Sequence, residues 1–259
     1  MDDVVTYEVI DRVAVVTMNR PAVKNAMNLA MFEQLGQAAR RADADRGAGA
    51  VLVRGAGGVF SSGLDLSLFA DGGGPQDIDE DFIAGLQDSF TAFEEVDKPV
   101  VAAIEGHCYG GGIQLAAACH VRAVAPSAKL AVLERRLGLV PDLGGTHRLP
   151  RLIGLGRATE LTLTGRIVPA EEALAIGLAE VALGADDPQG EALAYTAALA
   201  AGPGAVRRAP RLLRENVGQP RDVALALERR AQLACLAGPD VIEAATAFLQ
   251  GREPQFTGE

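Results

Sequence analysis

The stretch Lys98-Pro99-Val100-Val101-Ala102-Ala103-Ile104, followed by His107-Cys108-Tyr109-Gly110-Gly111-Gly112-Ile113-Gln114-Leu115-Ala116-Ala117-Ala118-Cys119, decides the fold. Its first part is a short, continuous apolar run, the pattern of a strand covered on both faces. Pro99 stands at the start of that run, where a missing amide is tolerated. The second part turns at residues 107–112 through three glycines and continues as an apolar helix. Strand, glycine turn and helix in that order form one unit of an α/β protein.

Similar units lie on either side. Residues 4–10 and 12–18 read as two near-alternating strands joined by a turn at Asp11, and Asn19-Arg20-Pro21 ends the second. Residues 29–41 are amphipathic and predict a helix. Residues 49–54 form a short buried strand that runs into Gly55-Ala56-Gly57-Gly58. Residues 71–75 are the most loop-like in the chain, and 79–96 are helical again. Further strands are predicted at 121–125 and 128–132, then a Pro/Gly loop at 138–145. Helices dominate 149–201, with one strand at 179–183. Residues 204–251 are helical throughout, broken at Gly218-Gln219-Pro220 and Gly238-Pro239. The pattern predicts an α/β core over residues 1–200 and a helical region over 201–259.

A length of 259 residues suits one large domain, and 49% hydrophobic residues can build a sizeable core. Aromatics are only 4%, so that core must be mostly Ala, Leu, Val and Ile. No apolar run approaches the roughly 18 residues of a membrane span. The acidic start, Met1-Asp2-Asp3, with no apolar stretch behind it, argues against a secretory signal. With 34 acidic and 24 basic residues the net charge is −10, which disfavours nucleic-acid partners. Three cysteines at unpatterned spacings give neither a disulfide framework nor a zinc motif, and a reducing cytoplasm is the simple expectation.

Several familiar signals fail. Gly55-x-Gly57 lacks the third glycine of a dinucleotide fingerprint, since position 60 is Phe. No glycine run carries a Walker lysine, and Ser61-Ser62-Gly63 is not a nucleophile elbow. His107, His120 and His147 have no ligand spacing and read as structural or surface residues. What remains is a pair of glycine turns, each after a strand: Phe60-Ser61-Ser62-Gly63-Leu64-Asp65-Leu66 and residues 107–112. Such turns expose backbone N–H groups, and a helix start adds positive partial charge. Two N–H groups converging on one oxygen would stabilise an enolate; the alternative is that the glycines only allow tight packing. A third loop, residues 133–146, carries Glu134 and Asp142 eight apart, with Pro141 preventing one helix from holding both. Apolar neighbours would raise either carboxylate toward neutrality and suit it to proton transfer. The other reading pairs an exposed Glu134 with Arg135 or Arg136 and puts Asp142 in an Asx turn.

Together these blocks resemble the enoyl-CoA hydratase/isomerase (crotonase) superfamily over nearly the whole chain. The resemblance rests on Asn19-Arg20-Pro21 with Asn25-Ala26-Met27, on Phe60 to Leu66, and on Lys98 to Ile104. It also rests on Gly110-Gly111-Gly112-Ile113-Gln114-Leu115, on Gly138-Leu139-Val140-Pro141-Asp142-Leu143-Gly144-Gly145-Thr146, and on Leu163-Thr164-Gly165-Arg166. Ala173-x-x-x-Gly177-Leu178 matches too, as does the tail from Ala247-Phe248-Leu249 to Pro254-Gln255-Phe256. It implies a crotonase-like spiral of ββα units with a C-terminal helical oligomerisation region, assembled as a homotrimer or a hexamer made of two trimers. It implies an acyl-CoA substrate with no metal or redox cofactor, coenzyme A being part of the substrate. By position, the N–H groups of Leu64 and Gly111 would form the oxyanion hole. Lys24, Ala26, Met27, Ser61, Ser62, Gly63, Asp65, Leu66, Gly110 and Pro141 would line the CoA and substrate channel, with Lys24 a candidate for a CoA phosphate.

The catalytic candidates are Glu134, Asp142 and Gln114. Hydratases of the family carry glutamates where Glu134 and Gln114 stand, and an amide can hydrogen-bond but cannot act as acid or base. Asp142 stands where some double-bond isomerases of the family, dienoyl-CoA isomerases and ring-opening phenylacetate-pathway isomerases among them, place an aspartate. The dienoyl isomerases also carry an acid at position 114, so the match is partial. His120 replaces an aspartate common in the family and reads as structural. The expectation is double-bond isomerisation ahead of hydration. Acyl-CoA binding without turnover is the reading from a different class.

Overall fold

The computed structural model describes residues 3–69 and 78–258. The loop expected at 71–75 lies outside the described residues. The first hairpin joins β1 (Val5–Ile10) to β2 (Val13–Met18) through Asp11 and Arg12, at φ 49° and 64°. A two-residue turn with both φ positive matches the twist of the strands it connects. From β2 the sheet continues in parallel through β3 (Ala50–Gly55), β4 (Val100–Ile104), β6 (Val121–Val124) and β9 (Val181–Ala182).

Strand side chains alternate between faces, and here both faces are covered. Val13, Val15, Ala50, Leu52, Val101 and Ala103 face one way, where α7 (Pro188–Ala200) covers them with Ala192 and Ala200. Ala14, Val16, Met18, Val51, Val53, Val100, Ala102 and Ile104 face the larger core. That core is closed by α1 (Leu29–Ala44) and α2 (Glu80–Glu95), capped by Asn28 and Asp79. Each cap accepts a hydrogen bond from a first-turn N–H that no helix can satisfy internally. Phe32 of α1 stacks on Phe90 of α2 with ring centroids 5.4 Å apart. α3 (Gly111–Ala118) has every residue buried, so its low amphipathicity reflects a helix inside the molecule.

A second, smaller sheet gives the molecule its spiral. It consists of β5 (His107–Tyr109), β7 (Lys129–Ala131) and β8 (Val168–Pro169), and Ser61 extends it through a bridge to Cys108. Each turn of the chain thus adds a strand to the large sheet, then a short one to the small sheet, then a helical segment. Two details differ from expectation. Residues 107–109, read as part of a glycine turn, are a strand, because they pair with β7 at the register His107 to Lys129. Val168–Pro169 adds a strand inside a region read as helical apart from 179–183; two residues are too few to show a period.

Past α4 (Gly145–Ile153), α5 (Leu155–Thr164) and α6 (Ala170–Ala175), the chain ends in α8 (Gly204–Asn216), α9 (Arg221–Ala237) and α10 (Asp240–Gln250). No residue of α9 is buried, although it carries Leu225, Leu233 and Leu236. No helix among the described residues is long and apolar enough to cross a membrane.

Candidate functional site

The small sheet explains why three distant loops meet. Ser61, Cys108 and Leu130 are paired across adjacent strands, so the residues after each one emerge side by side. The Ser61 N–H donates to the His107 carbonyl at 2.8 Å, the Tyr109 N–H to Ser61 at 3.0 Å, and the Gly110 N–H to Ala131 at 3.0 Å. Beyond these bonds the chain turns at Gly63-Leu64, at Gly110-Gly111 and at Glu134.

Gly63 has φ +95°, and a Cβ there would lie 2.8 Å from the Tyr109 carbonyl and 3.5 Å from the Gly111 nitrogen. Only glycine gives both that backbone and that approach. Gly110 has φ 53° and ψ −117° and begins α3 without a side chain to cap it. The Gly111 N–H is therefore a first-turn donor left open by the helix. Leu64 is strapped to Met27: the Met27 N–H donates to the Gly63 carbonyl at 2.8 Å and the Asp65 N–H to the Met27 carbonyl at 2.9 Å. Among the described residues, no acceptor takes the Leu64 N–H. Among the described residues, two donors without a partner thus stand on neighbouring turns.

Glu134 opens a 3₁₀ turn, Glu134–Leu137, directly after β7. It is 7% exposed, so the reading as a surface carboxylate paired with Arg135 or Arg136 is corrected. Arg135 instead donates to the Thr164 carbonyl. Oε1 of Glu134 accepts from Nε2 of Gln114 at 2.6 Å, and Oε2 is buried with no side-chain or backbone partner among the described residues. Burial drives the Glu134 carboxyl above the ordinary glutamate range; hydrogen bonds from its own backbone and Gln114 oppose this, and the Asp142 charge adds to it. Asp142 is half-buried, and burial raises its carboxyl as well.

Gln114 projects from α3 and is 1% exposed. Its Oε1 accepts from the N–H groups of Leu143 at 2.8 Å and Gly145 at 2.9 Å. The 142–145 loop is held from behind as well. Arg148, 8% exposed, donates to the Leu143 carbonyl at 2.8 Å and pairs with Glu94, and Gln87 donates to the Asp142 carbonyl at 2.6 Å.

The remaining candidates divide by position. Lys24 is exposed in a left-handed conformation, φ 55°, and its carbonyl receives the Ser62 N–H at 2.9 Å. Ser62 is half-buried, Leu66 is 53% exposed, and Ala26, Met27 and Pro141 are buried. Ser61 is fully buried; its hydroxyl donates to the Asn25 carbonyl and accepts from the Gly63 N–H, so it shapes the turn. Asp65 pairs with Arg20 at 2.7 Å, a hydrogen bond that holds its carboxyl below the ordinary range. His120 accepts from the Val100 N–H through Nδ1, a structural place. Among the described residues, no group of three or more His, Cys, Asp or Glu side chains gathers as a metal site.

Sequence reasoning missed Arg20, Arg148 and Gln87. Arg20 lay inside the quoted Asn19-Arg20-Pro21 block, which was the available signal; besides Asp65 it holds the Ala26 carbonyl at 2.5 Å. Nothing in sequence spacing ties Arg148 or Gln87 to this loop.

Comparison with known proteins adds independent findings. A family model described as enoyl-CoA hydratase/isomerase matches residues 8–259. A protein of Mycobacterium leprae named as a probable enoyl-CoA hydratase is 34% identical, over 98% of each chain. One of Rhodobacter capsulatus with the same description is 37% identical, again over 98% of each. The crystal structure of an enoyl-CoA hydratase from Bacillus anthracis superposes with a TM-score of 0.93 at 31% identity, covering 99% of this chain and 100% of that one. A Thermobifida fusca protein classed as an enoyl-CoA hydratase and solved in complex with CoA gives 0.82 at 34% identity, over 91% and 93%.

Proposed function

We propose, for a chain that belongs to the enoyl-CoA hydratase/isomerase family, that its reaction is the migration of a double bond in an enoyl-CoA thioester. The observation that carries this reading is Gln114, an amide bonded to Glu134 where a second carboxylate would be wanted for adding water. The thioester oxygen sits between the N–H groups of Leu64 and Gly111. Each such donor lowers the enolate-forming barrier by roughly 3 kcal/mol. Glu134 takes the proton from C2 of a 3-enoyl-CoA, and the C–H electrons pass into a dienolate whose negative oxygen the two donors hold. A proton returned at C4 closes the shift to the 2-enoyl product. A buried carboxylate with a raised pKa is suited to both taking and giving. Asp142 is the second acid within electrostatic reach. The lining from Lys24 to Met27 and from Ser62 to Leu66, with Gly110 and Pro141, receives the CoA arm, as a CoA complex of a similar fold supports.

No metal or redox cofactor enters this scheme, because the donors carry the developing charge. Residues 201–259 are proposed as the contact region of a trimer or hexamer: Ile242, Phe248 and Leu249 are 71%, 85% and 84% exposed, an apolar surface that lone chains avoid. Three free thiols, two of them buried, suit the reducing cytoplasm.

Hydration is the second reading, favoured by the names of the relatives. Side-by-side assays of 3-enoyl-CoA isomerisation and 2-enoyl-CoA hydration test the proposal. Fast hydration without isomerisation would replace it with the second reading. Tight acyl-CoA binding with neither reaction over a broad panel would make the chain a binding protein.

A further inference from the structure

Arg20 follows β2 at the start of the loop that carries Lys24, and its side chain reaches back to both sides of the Leu64 turn. One guanidinium nitrogen, Nη1, donates to the Ala26 carbonyl at 2.5 Å and to Oδ2 of Asp65 at 2.7 Å. The Arg20 side chain is 21% exposed and that of Asp65 16%. The Arg20 backbone is fixed as well. Its N–H donates to Oδ1 of Asn25 at 2.9 Å, and its carbonyl accepts from the Asn25 N–H at 2.9 Å. Asn25 is fully buried and donates from Nδ2 to the Ala56 and Val59 carbonyls. The other carboxylate oxygen of Asp65 accepts from the N–H and the hydroxyl of Ser67, so the anion that faces the guanidinium is held on both oxygens.

What Arg20 grips is one end of a line of peptide groups. A trans peptide is planar, and its C=O and N–H point in opposite directions. The Ala26 carbonyl and the Met27 N–H belong to one such group, and the Met27 N–H donates to the Gly63 carbonyl at 2.8 Å. The Gly63 carbonyl and the Leu64 N–H belong to the next. The Asp65 N–H, bonded to the Met27 carbonyl at 2.9 Å, keeps that second group from rotating. The line therefore starts at a cation, crosses two peptides and ends at the open Leu64 N–H. Hydrogen bonds in a row polarise one another, and a charged donor at the first carbonyl strengthens every donor behind it.

We propose that Arg20 is a positioning residue for the Leu64 donor, which it orients and polarises through two hydrogen-bonded peptide groups without touching the substrate. This rests on the oxyanion-hole reading above and holds equally for isomerisation and hydration. The benefit grows with the negative charge on the thioester oxygen. It therefore acts on turnover more than on ground-state binding.

The test reads the carbonyl itself. Acetyl-CoA labelled with carbon-13 at the carbonyl is bound to the intact protein, and its stretching frequency is recorded by infrared difference spectroscopy. Hydrogen bonding to the oxygen lowers that frequency relative to the free thioester. Arg20→Gln keeps an N–H donor for the Ala26 carbonyl and removes the charge. Arg20→Lys keeps the charge, and because a single nitrogen makes both bonds an ammonium can replace it. The expected result is a clear lowering in the wild-type protein, a smaller one in Arg20→Gln and a largely restored one in Arg20→Lys. In whichever of the two assays shows turnover, Arg20→Gln should reduce kcat about tenfold, part of the roughly 10²–10³-fold that losing a donor outright costs. KM should stay within about threefold. A merely structural ion pair would change the melting temperature and leave the frequency where it was. A folded Arg20→Gln protein with wild-type frequency and wild-type kcat would overturn the proposal and leave the oxyanion reading intact. An Arg20→Lys protein no better than Arg20→Gln would overturn the polarising role. No lowering in the wild-type protein would sink the oxyanion reading, and this inference with it.

Discussion

Gly63→Ala puts the proposed oxyanion geometry at risk with the smallest possible change, one methyl group. At φ +95° the backbone lies where an L side chain costs about 1–2 kcal/mol. The new Cβ would stand 2.8 Å from the Tyr109 carbonyl, where ordinary contact begins at 3.4 Å. Relieving that overlap in a packed interior costs about 1–3 kcal/mol more. For a chain of this length, roughly 2–5 kcal/mol corresponds to a melting temperature lower by about 5–15 °C. The movement also has a direction. The Tyr109 carbonyl directly precedes Gly110-Gly111, and Gly63 directly precedes Leu64, so the methyl wedges the two donors apart. Misplacement of this order lowers kcat/KM by about 100-fold. Gly58→Ala is the control. Its φ is +70° but no atom lies within 4 Å of the added Cβ, so it should lose about 1 kcal/mol and keep its activity. Melting curves and kcat/KM, measured well below both melting points, separate strain from displacement. A folded Gly63→Ala protein within twofold of wild-type kcat/KM would refute the role given to Leu64 and Gly111.

Glu134→Gln should lower turnover by about 10²–10⁴-fold, the usual contribution of a general base, in the isomerisation assay. Because burial raises the Glu134 pKa above its ordinary 4.5, the folded state holds that proton more tightly than the unfolded state. Its contribution is favourable below that value and is lost as pH rises through the raised pKa. The variant should thus melt higher than wild type at pH 7, with the difference vanishing near pH 4; an unchanged melting temperature at both would refute the burial argument. Lys98, 2% exposed, donates from Nζ to the carbonyls of Ala42 at 2.6 Å and Asp45 at 2.7 Å at the end of α1. Lys98→Met should cost about 2–4 kcal/mol in denaturant titration and leave kcat/KM unchanged. Changing Phe248 to Ser and Leu249 to Glu together should reduce the mass measured by light scattering to that of a smaller assembly or a single chain. An unaltered oligomer would move the contact surface elsewhere.

The strands and helices were legible wherever hydrophobic period and length agreed. α1, capped by Asn28, and α9, closed by Gly218-Gln219-Pro220 and Gly238-Pro239, follow directly from local patterns. β5 and β8 were not legible, because segments of three and two residues carry no period and exist only through pairing with β7. The two glycine turns could be picked out because φ +95° at Gly63 and φ 53° at Gly110 restrict the residue type. Gln114 stood out against the motif, but its partners did not. Its bonds to Glu134, Leu143 and Gly145 cross 20 to 31 residues and depend on the spiral's stacking. Burial decided between the two readings of Glu134, and burial is a property of the assembled core that charge spacing does not encode.

The division of labour in this site follows from how it is built. The two donors are backbone N–H groups whose places are set by strand register and by glycine, so changes in neighbouring side chains leave them where they are. In the proposed reaction the proton-transfer groups are carboxylates from the loops after β7, with an amide from α3 bonded to one of them, and each can change without disturbing the donors. On the proposed reading the scaffold therefore fixes where negative charge is held, while positions 114, 134 and 142 decide where hydrogen goes. With an amide at 114, a buried carboxylate at 134 and a half-buried one at 142, water has one proton acceptor fewer to activate it, and the carboxylate at 134 accepts a hydrogen bond from the amide. That is the ground for the proposal of a reaction in which one proton is carried from carbon to carbon.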